Sequence, residues 1–246
     1  MNKPLGFGVF TLVMVALFVG LGLWQLQRRV EKHALVAALA ERLATEPVPL
    51  PPASEWGRLT PQNDEFRRAR LTATYVRAAD AMVFSSGSAV REDISGPGTW
   101  AFLPARLGPG DAIVINAGFV ENAMQDRKLQ DRAVEKLVTG QPVALTGYLR
   151  FSEGPGWLTP AYDPAKRLWF VRDHLDMARR LGWGMVAPFY IDLEAPMPAS
   201  GVPKPGPLAA HLRDDHLQYA ITWFVLAAVV VIAFGLWWRG RGSPRA

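Results

Sequence analysis

Two uncharged, apolar runs bracket a long region in which apolar and polar residues alternate. Leu5 to Leu26 and Tyr219 to Trp238 hold no charged residue, and each is long enough to cross a hydrocarbon core of about 30 Å. Trp24 on the first run and Tyr219, Trp223, Trp237 and Trp238 on the second lie toward the ends, where amphipathic rings favour the headgroup layer. The first run predicts a helix that outlasts the span. No Pro or Gly occurs from Gln25 to Leu43, and Val30, Ala34, Ala37, Ala38 and Leu39 recur at helical spacing up to Thr45-Glu46-Pro47. The prolines of Pro47-Val48-Pro49-Leu50-Pro51-Pro52 then force an extended, polyproline-like linker.

Beyond the linker the dominant period is two. Ala69, Leu71, Ala73 and Tyr75 alternate with Arg68, Arg70, Thr72 and Thr74, the pattern of a half-buried strand. Further strands are predicted at 81–85, 100–107, 112–120, 143–151, 168–172 and 186–193, separated by Gly-Pro and Gly-Asp turn chemistry. Helices are predicted over Gln125–Val138 and Leu175–Leu181, the second capped by Gly182. Pro196 to Pro207 reads as a stiff tether to the second span. The expected architecture is α+β: two transmembrane helices, 5–26 (continuing to about 43) and 217–238, flanking a β-rich periplasmic domain at 44–212, with a basic cytoplasmic tail at 239–246.

Charge and composition narrow the function. There is no cysteine, which excludes disulfides, thiolate nucleophiles and CxxC metal or redox sites. The net charge of +5 is spread among Asp and Glu rather than gathered into a basic run interleaved with aromatics, so nucleic acid is not the expected partner. That basic excess suits residence beside anionic membrane lipid. The first run exceeds the 7–15 residues of a signal-peptide core and is read as an uncleaved anchor. The basic residues Arg239, Arg241 and Arg245 favour cytoplasmic termini, and the absence of a transit-like leader favours a bacterial inner membrane.

The chemistry concentrates at the membrane boundary. On a helix turning about 100° per residue, Tyr219 and Trp223 return beneath His216, giving a metal-ligating imidazole an aromatic wall. This face suits a haem or a partner, although a lone histidine beside a span is more often an interfacial hydrogen-bonding group. At the outer end of the first run, Gln25 needs a hydrogen-bond partner at membrane depth. Gly20 and Gly22 permit close approach of a second helix, Trp24 offers a ring, and Arg28 and Arg29 can pair with carboxylates. Taken alone, Trp24 and Arg28 are more often ordinary membrane anchors, an interfacial ring and a snorkelling cation. Asp173 and His174, at the start of a predicted helix, read as a cap or surface pair. No nucleophile–base order, phosphate loop or zinc spacing marks an enzyme.

Read together, these segments resemble the Surf1 (Shy1) family of cytochrome c oxidase assembly proteins. The resemblance runs from Gly22-Leu23-Trp24-Gln25 with Arg28 and Lys32, through Gly96-Pro97-Gly98, Leu103-Pro104, Val114 to Val120, Gly147-Tyr148-Leu149-Arg150, Asp163-Pro164 and Leu168 to Asp173, to the closing stretch from Asp215 to Phe224. Ala117 and Glu121 stand where the family has arginine and proline, and Asp214 where it has asparagine. Loss of that arginine is expected to alter a contact on the domain surface. The resemblance implies a non-enzymatic factor that assists haem a insertion into the oxidase catalytic subunit, with haem A synthase a further candidate partner. It carries haem a to His216 as axial ligand to the iron, and Trp24, Gln25, Arg28, Tyr219 and Trp223 would complete the cofactor site. The alternative is a structural chaperone that stabilises an oxidase intermediate without touching haem.

Overall fold

The computed structural model describes residues 3–88, 90–91, 93–108, 110–121, 126–210 and 214–240. In chain order the elements are α1 (Lys3–Ala44), β1 (Val48–Pro49), a 3-10 turn (Ala53–Arg58), α2 (Pro61–Asp64), β2 (Arg68–Tyr75), β3 (Ala81–Ser85), β4 (Gly98–Arg106) and β5 (Ala112–Glu121). They continue with α3 (Arg127–Glu135), β6 (Val143–Phe151), β7 (Leu168–Trp169), α4 (His174–Leu181), β8 (Phe189–Ala195) and α5 (His216–Gly240). The protein is thus α+β, with a mixed eight-stranded sheet between two terminal apolar helices. It divides into two units, Met1–Ala38 with Leu212–Ala246, and Leu39–His211.

In the second unit the sheet closes on itself. Strands β2, β6, β8, β5 and β4 are hydrogen-bonded in that order. Pairing of Thr74 with Arg106 and Tyr75 with Ala105 joins β4 back to β2, making a five-stranded barrel. Closure removes the free edges that an open sheet would present. β5 and β8 run parallel; the other barrel pairs are antiparallel. The first half of β4 leaves the barrel to pair with β3, which carries β7 on its far side.

The two-residue period sets which side chains fill it. Ala69, Leu71, Ala73 and Tyr75 of β2 pack with Leu103, Ile113, Ile115, Leu145, Leu149, Phe189 and Ile191 in one core. The opposite face of β4, β5 and β8 packs Trp100, Phe102, Val114, Phe119 and Tyr190 with Trp169 and with Met177 of α4. Each such large apolar side chain stabilises the fold by about 1.5–3 kcal/mol when fully buried. Asn116 Nδ2 donates to Asp192 Oδ1 at 2.8 Å, and Arg150 donates to Asp192 Oδ2 at 3.4 Å and to Glu65 Oε1 at 2.5 Å. This network satisfies charges that would be costly if buried alone.

Several boundaries differ from the sequence expectation. The last strand starts later, at Phe189, because Ala187 already bonds the Ala112 carbonyl in the preceding loop. Strand β7 is only two residues long, since its pairing with β3 stops at Trp169. Helix α3 occupies Arg127–Glu135, with Asp126 accepting from Lys128 N at 3.0 Å; Gln125 lies outside the described residues, as do Arg241 and Arg245 of the basic tail. The proline-rich segments lie on the barrel. Val48 and Pro49 pair with Ala69 and Arg70, and Lys204 exchanges two backbone hydrogen bonds with Phe119. Ala117 is 1% exposed within the barrel core, so the surface contact expected at this position is not what the site provides.

Asp173 caps α4, accepting from Asp176 N at 3.1 Å, and Gly182 ends the helix in the left-handed region at φ 68°. His174 is no surface residue: it is fully buried, with Nε2 donating to the Ala187 carbonyl at 3.1 Å and Nδ1 2.8 Å from Ser152 Oγ. Asp173 bonds the serine rather than the imidazole, so these three residues lack the relay order of a hydrolase triad. Burial lowers the His174 pKa from 6.5 to about 4. Between those values the unfolded chain binds more protons than the folded one, so stability is lost as pH falls through the window, by about 3 kcal/mol at most. Denaturant midpoints at pH 7 and pH 4.5 are expected to differ more for the natural protein than for His174→Gln, which keeps a donor but cannot titrate.

Candidate functional site

The first unit pairs α1 with α5, helices whose most apolar stretches have mean hydropathy 2.3 and 2.4 and which are long and apolar enough to cross a membrane. Their approach is set by a small residue. A Cβ on Gly22 would lie 2.5 Å from the ring of Phe224, so glycine is needed for this spacing. Gly20 faces open space and has no such role. Phe18 stacks on Trp223 at 5.7 Å between ring centroids, and Phe7 meets Trp237 at 4.5 Å.

Helix α5 begins at His216 because Asp214 caps it. Asp214 Oδ1 accepts the His216 backbone N–H at 3.0 Å, satisfying a donor with no partner inside the helix. Its other oxygen, Oδ2, is gripped by α1: His33 Nε2 lies at 2.5 Å and Arg29 Nε donates at 3.2 Å. The hydrogen bond from His33 leads, with the His216 N–H and Arg29 adding to it, in holding the Asp214 carboxyl at about 2. One helical turn before Arg29 stands Gln25, whose Oε1 lies 2.7 Å from His216 Nδ1.

That bond decides the imidazole's chemistry. An amide oxygen only accepts, so Nδ1 carries the proton and donates. In the neutral ring the free lone pair is then on Nε2. His216 also lines a cavity of about 380 Å³ together with Trp24, Arg28, Glu31 and Lys32. Arg28 donates to Glu31 at 2.9 Å and sits 5.9 Å from the centre of the Trp24 ring.

Of the residues singled out from sequence, the structure brings together His216, Gln25, Trp24 and Arg28. Tyr219 is 56% exposed and Trp223 is stacked on Phe18; neither lines the cavity. Seven residues beyond His216, at Trp223, α5 already packs on α1. Sequence reading missed Glu31 and Lys32 as lining residues, and missed the grip of Arg29 and His33 on Asp214. The signal was present in the spacing. Trp24, Arg28 and Lys32 form one i, i+4, i+8 stripe facing the cavity, and Gln25, Arg29 and His33 form the adjacent stripe facing the start of α5.

The capping role gives a direct prediction. Asp214→Ala is expected to speed amide exchange at His216, whereas Asp214→Asn, which can still accept that N–H, is expected to leave it near the natural rate. Equal exchange in both variants would remove the cap from the account.

A β-barrel-centred α+β domain in a chain with two terminal apolar helices, and a histidine bonded to Gln25 beside a cavity lined by Trp24, Arg28, Glu31 and Lys32, defines a two-helix α+β protein. The SURF1 family model matches residues 12–228. Surfeit locus protein 1 of Rattus norvegicus is 29% identical over 240 residues, covering 94% of this chain and 74% of the relative. Its Homo sapiens counterpart is 30% identical over 249 residues, covering 96% and 78%. A SURF1-like protein of Monosiga brevicollis is 30% identical, covering 92% and 85%. The chain belongs to the SURF1 family.

Proposed function

We propose that this protein is an assembly factor for a haem-copper cytochrome c oxidase, and that it holds or hands over haem a as the cofactor enters the catalytic subunit. The observation carrying this reading is the bond between His216 Nδ1 and Gln25 Oε1, which leaves Nε2 as a lone-pair donor beside the cavity. The donor set suits a haem: one oriented imidazole, an aromatic ring and two cations. When bound, haem a supplies an iron that takes a nitrogen ligand.

The chain's own residues then have separable tasks. His216 offers Nε2, and Gln25 fixes the tautomer and ring plane. Trp24 would provide a wall, and Arg28 and Lys32 would pair with the carboxylates of the macrocycle. The existing pair of Arg28 with Glu31 leaves both side chains about half exposed, at 56% and 49%, and such surface pairs exchange at little cost. Tyr219, on the same helical side as His216, is available to a ring wider than the cavity. Trp223 acts through its stack on Phe18, which holds the helix pair in register. In this reading α1 and α5 anchor the chain in a bacterial inner membrane, with the barrel periplasmic and both termini cytoplasmic. The oxidase catalytic subunit is the partner, and haem A synthase the donor of cofactor.

The test is a reduced-minus-oxidised spectrum of membranes from a deletion strain, with an immunoblot for the catalytic subunit. Loss of the haem a band while the subunit persists is the expected result. A normal haem a band would overturn the role in insertion, and loss of the subunit itself would favour a chaperone that never touches haem.

A further inference from the structure

Asp80, immediately before β3, is only 3% exposed, yet its carboxylate is half used. Oδ1 accepts from the guanidinium groups of Arg127 and Arg167, the second at 2.9 Å. Oδ2 has no hydrogen-bond partner among the described residues. A buried acceptor left without a donor is costly, and one set in a cavity wall points to a donor that comes from outside the chain. Asp80 stands in such a wall. A cavity of about 260 Å³ lies between the β2–β3 loop and α3, and all of its lining belongs to the barrel unit.

The charged residues lining it are Asp80, Asp131, Glu135, Arg77 and Arg167. Arg167 Nη2 joins Asp80 to Asp131, whose Oδ1 lies at 2.5 Å. Its backbone is in the left-handed region at φ 47°, a conformation that a residue with a side chain keeps only where its surroundings fix it. Two backbone hydrogen bonds between Asp163 and Leu168 close the turn that does so. The remaining pair is looser. Arg77 Nη1 donates to Glu135 Oε1 at 3.2 Å, but the side chains are 76% and 64% exposed, so this pair opens at little cost.

Opening that pair decides the sign of the ligand. A cation in the place of Arg77 faces three carboxylates and one guanidinium, whereas an anion in the place of Glu135 faces two of each. The unpartnered Oδ2 acts in the same direction, because an ionised carboxylate only accepts. Burial pushes the Asp80 pKa up while Arg127 and Arg167 oppose the rise, and a further donor would oppose it too. Among the described residues no group of three or more His, Cys, Asp or Glu is placed to hold a metal ion, so the cation is one that carries N–H donors. Val134 and Val138 give the cavity an apolar side. Its volume falls below the range of about 300–1,000 Å³ that suits drug-sized ligands, and fits a group the size of one side chain. We propose that this cavity binds a primary ammonium or guanidinium group on an aliphatic stem, the chemistry of a lysine or arginine side chain or of a free small amine. The charged head donates to Asp80 Oδ2, Asp131 and Glu135, and the stem lies along Val134 and Val138. The site is independent of the haem reading.

Full-length protein in detergent micelles is titrated with n-butylammonium, n-butyrate and n-butanol, and saturation transfer from protein to each probe is read by NMR against empty micelles. Butylammonium alone is expected to receive saturation above the micelle background. Glu135→Gln is expected to weaken its binding several-fold, and Arg77→Ala, which removes the competing cation, to tighten it several-fold. Both side chains are largely exposed, so these variants keep the fold even where Asp80→Asn, expected to abolish binding, does not. Butyrate binding that Arg77→Ala weakens would overturn the proposal in favour of an anion site. Equal transfer to butanol, no transfer to any probe, or butylammonium binding unchanged in Arg77→Ala and Glu135→Gln would also overturn it, leaving the charge cluster as a brace between α3 and the barrel. Displacement of butylammonium by the capped peptide acetyl-Ala-Lys-Ala-amide would support the site and assign it to a side chain of a partner polypeptide. Butylammonium binding that the peptide does not displace would support the site and assign it to free amines.

Discussion

His216→Ala, purified from cells that make haem A, is expected to retain at least about tenfold less haem a than the natural protein. The loss removes the only imidazole on the cavity wall described here, and with it the nitrogen that Gln25 orients. Gln25→Leu separates ligand from orientation. It leaves the imidazole in place but frees its tautomer and ring plane, and partners of this kind typically contribute about 10–100-fold to metal affinity. Gln25→Leu should therefore bind haem a more weakly than the natural protein and better than His216→Ala. Binding unchanged in both variants would take this histidine out of the mechanism.

The second large effect is structural. Gly118→Ala is expected to destabilise the barrel by about 3 kcal/mol or more, lowering Tm by roughly 6–12 °C. Gly118 has a φ of +127°, and an added Cβ would lie 2.4 Å from both the Lys204 carbonyl carbon and the Pro205 nitrogen. Backbone cannot yield there without breaking the two hydrogen bonds between Phe119 and Lys204, and the segment they hold also supplies the Pro205 and Gly206 carbonyls to buried Arg91. Gly140 is the control. Its φ is +74° but nothing lies within 4 Å of its Cβ position, so Gly140→Ala should cost only the roughly 1–2 kcal/mol of a left-handed non-glycine residue. Equal melting shifts would mean that conformation alone, and not the close approach of the 203–206 segment, makes Gly118 necessary.

Much of the barrel was legible because its signals are local. Strands β2, β3 and β6 begin and end where predicted: alternation marks β2, and the Gly140-Gln141-Pro142 and Gly154-Pro155 turns bound β6 on both sides. α4 starts one residue earlier than predicted, at the cap Asp173 supplies, and ends at Gly182 as its αL conformation requires. What could not be read was non-local. Closure of β4 onto β2 depends on partners some thirty residues apart, for which neither strand carries a pattern. Val48-Pro49 reads as linker because proline hides pairing, although it lies in register against β2. His174 and Asp173 show a different limit: the pattern places a cap at the helix start but says nothing of what covers the ring.

The candidate site divides in the same way. Trp24, Gln25, Arg28 and His216 were identifiable as residues whose chemistry needs a partner at the membrane boundary. Their pairing was not, because Gln25 and His216 are 191 positions apart. Asp214 shows what the contacts add. Where the family pattern has an asparagine, this chain has a carboxylate, and Arg29 supplies a cation and His33 an N–H donor for it. Its capping oxygen serves His216 and its second oxygen holds α1. One side chain thereby bonds both the His216 backbone and the helix that carries Gln25.

The most direct measurement is the haem a content of the natural full-length protein, purified in mild detergent from cells that make haem A and quantified by the pyridine haemochrome spectrum. The account predicts haem a bound in an amount that rises with cellular haem A and falls in His216→Ala. Protein that is folded, as judged by its melting transition, yet carries no haem a under these conditions would contradict the claim that this site holds the cofactor.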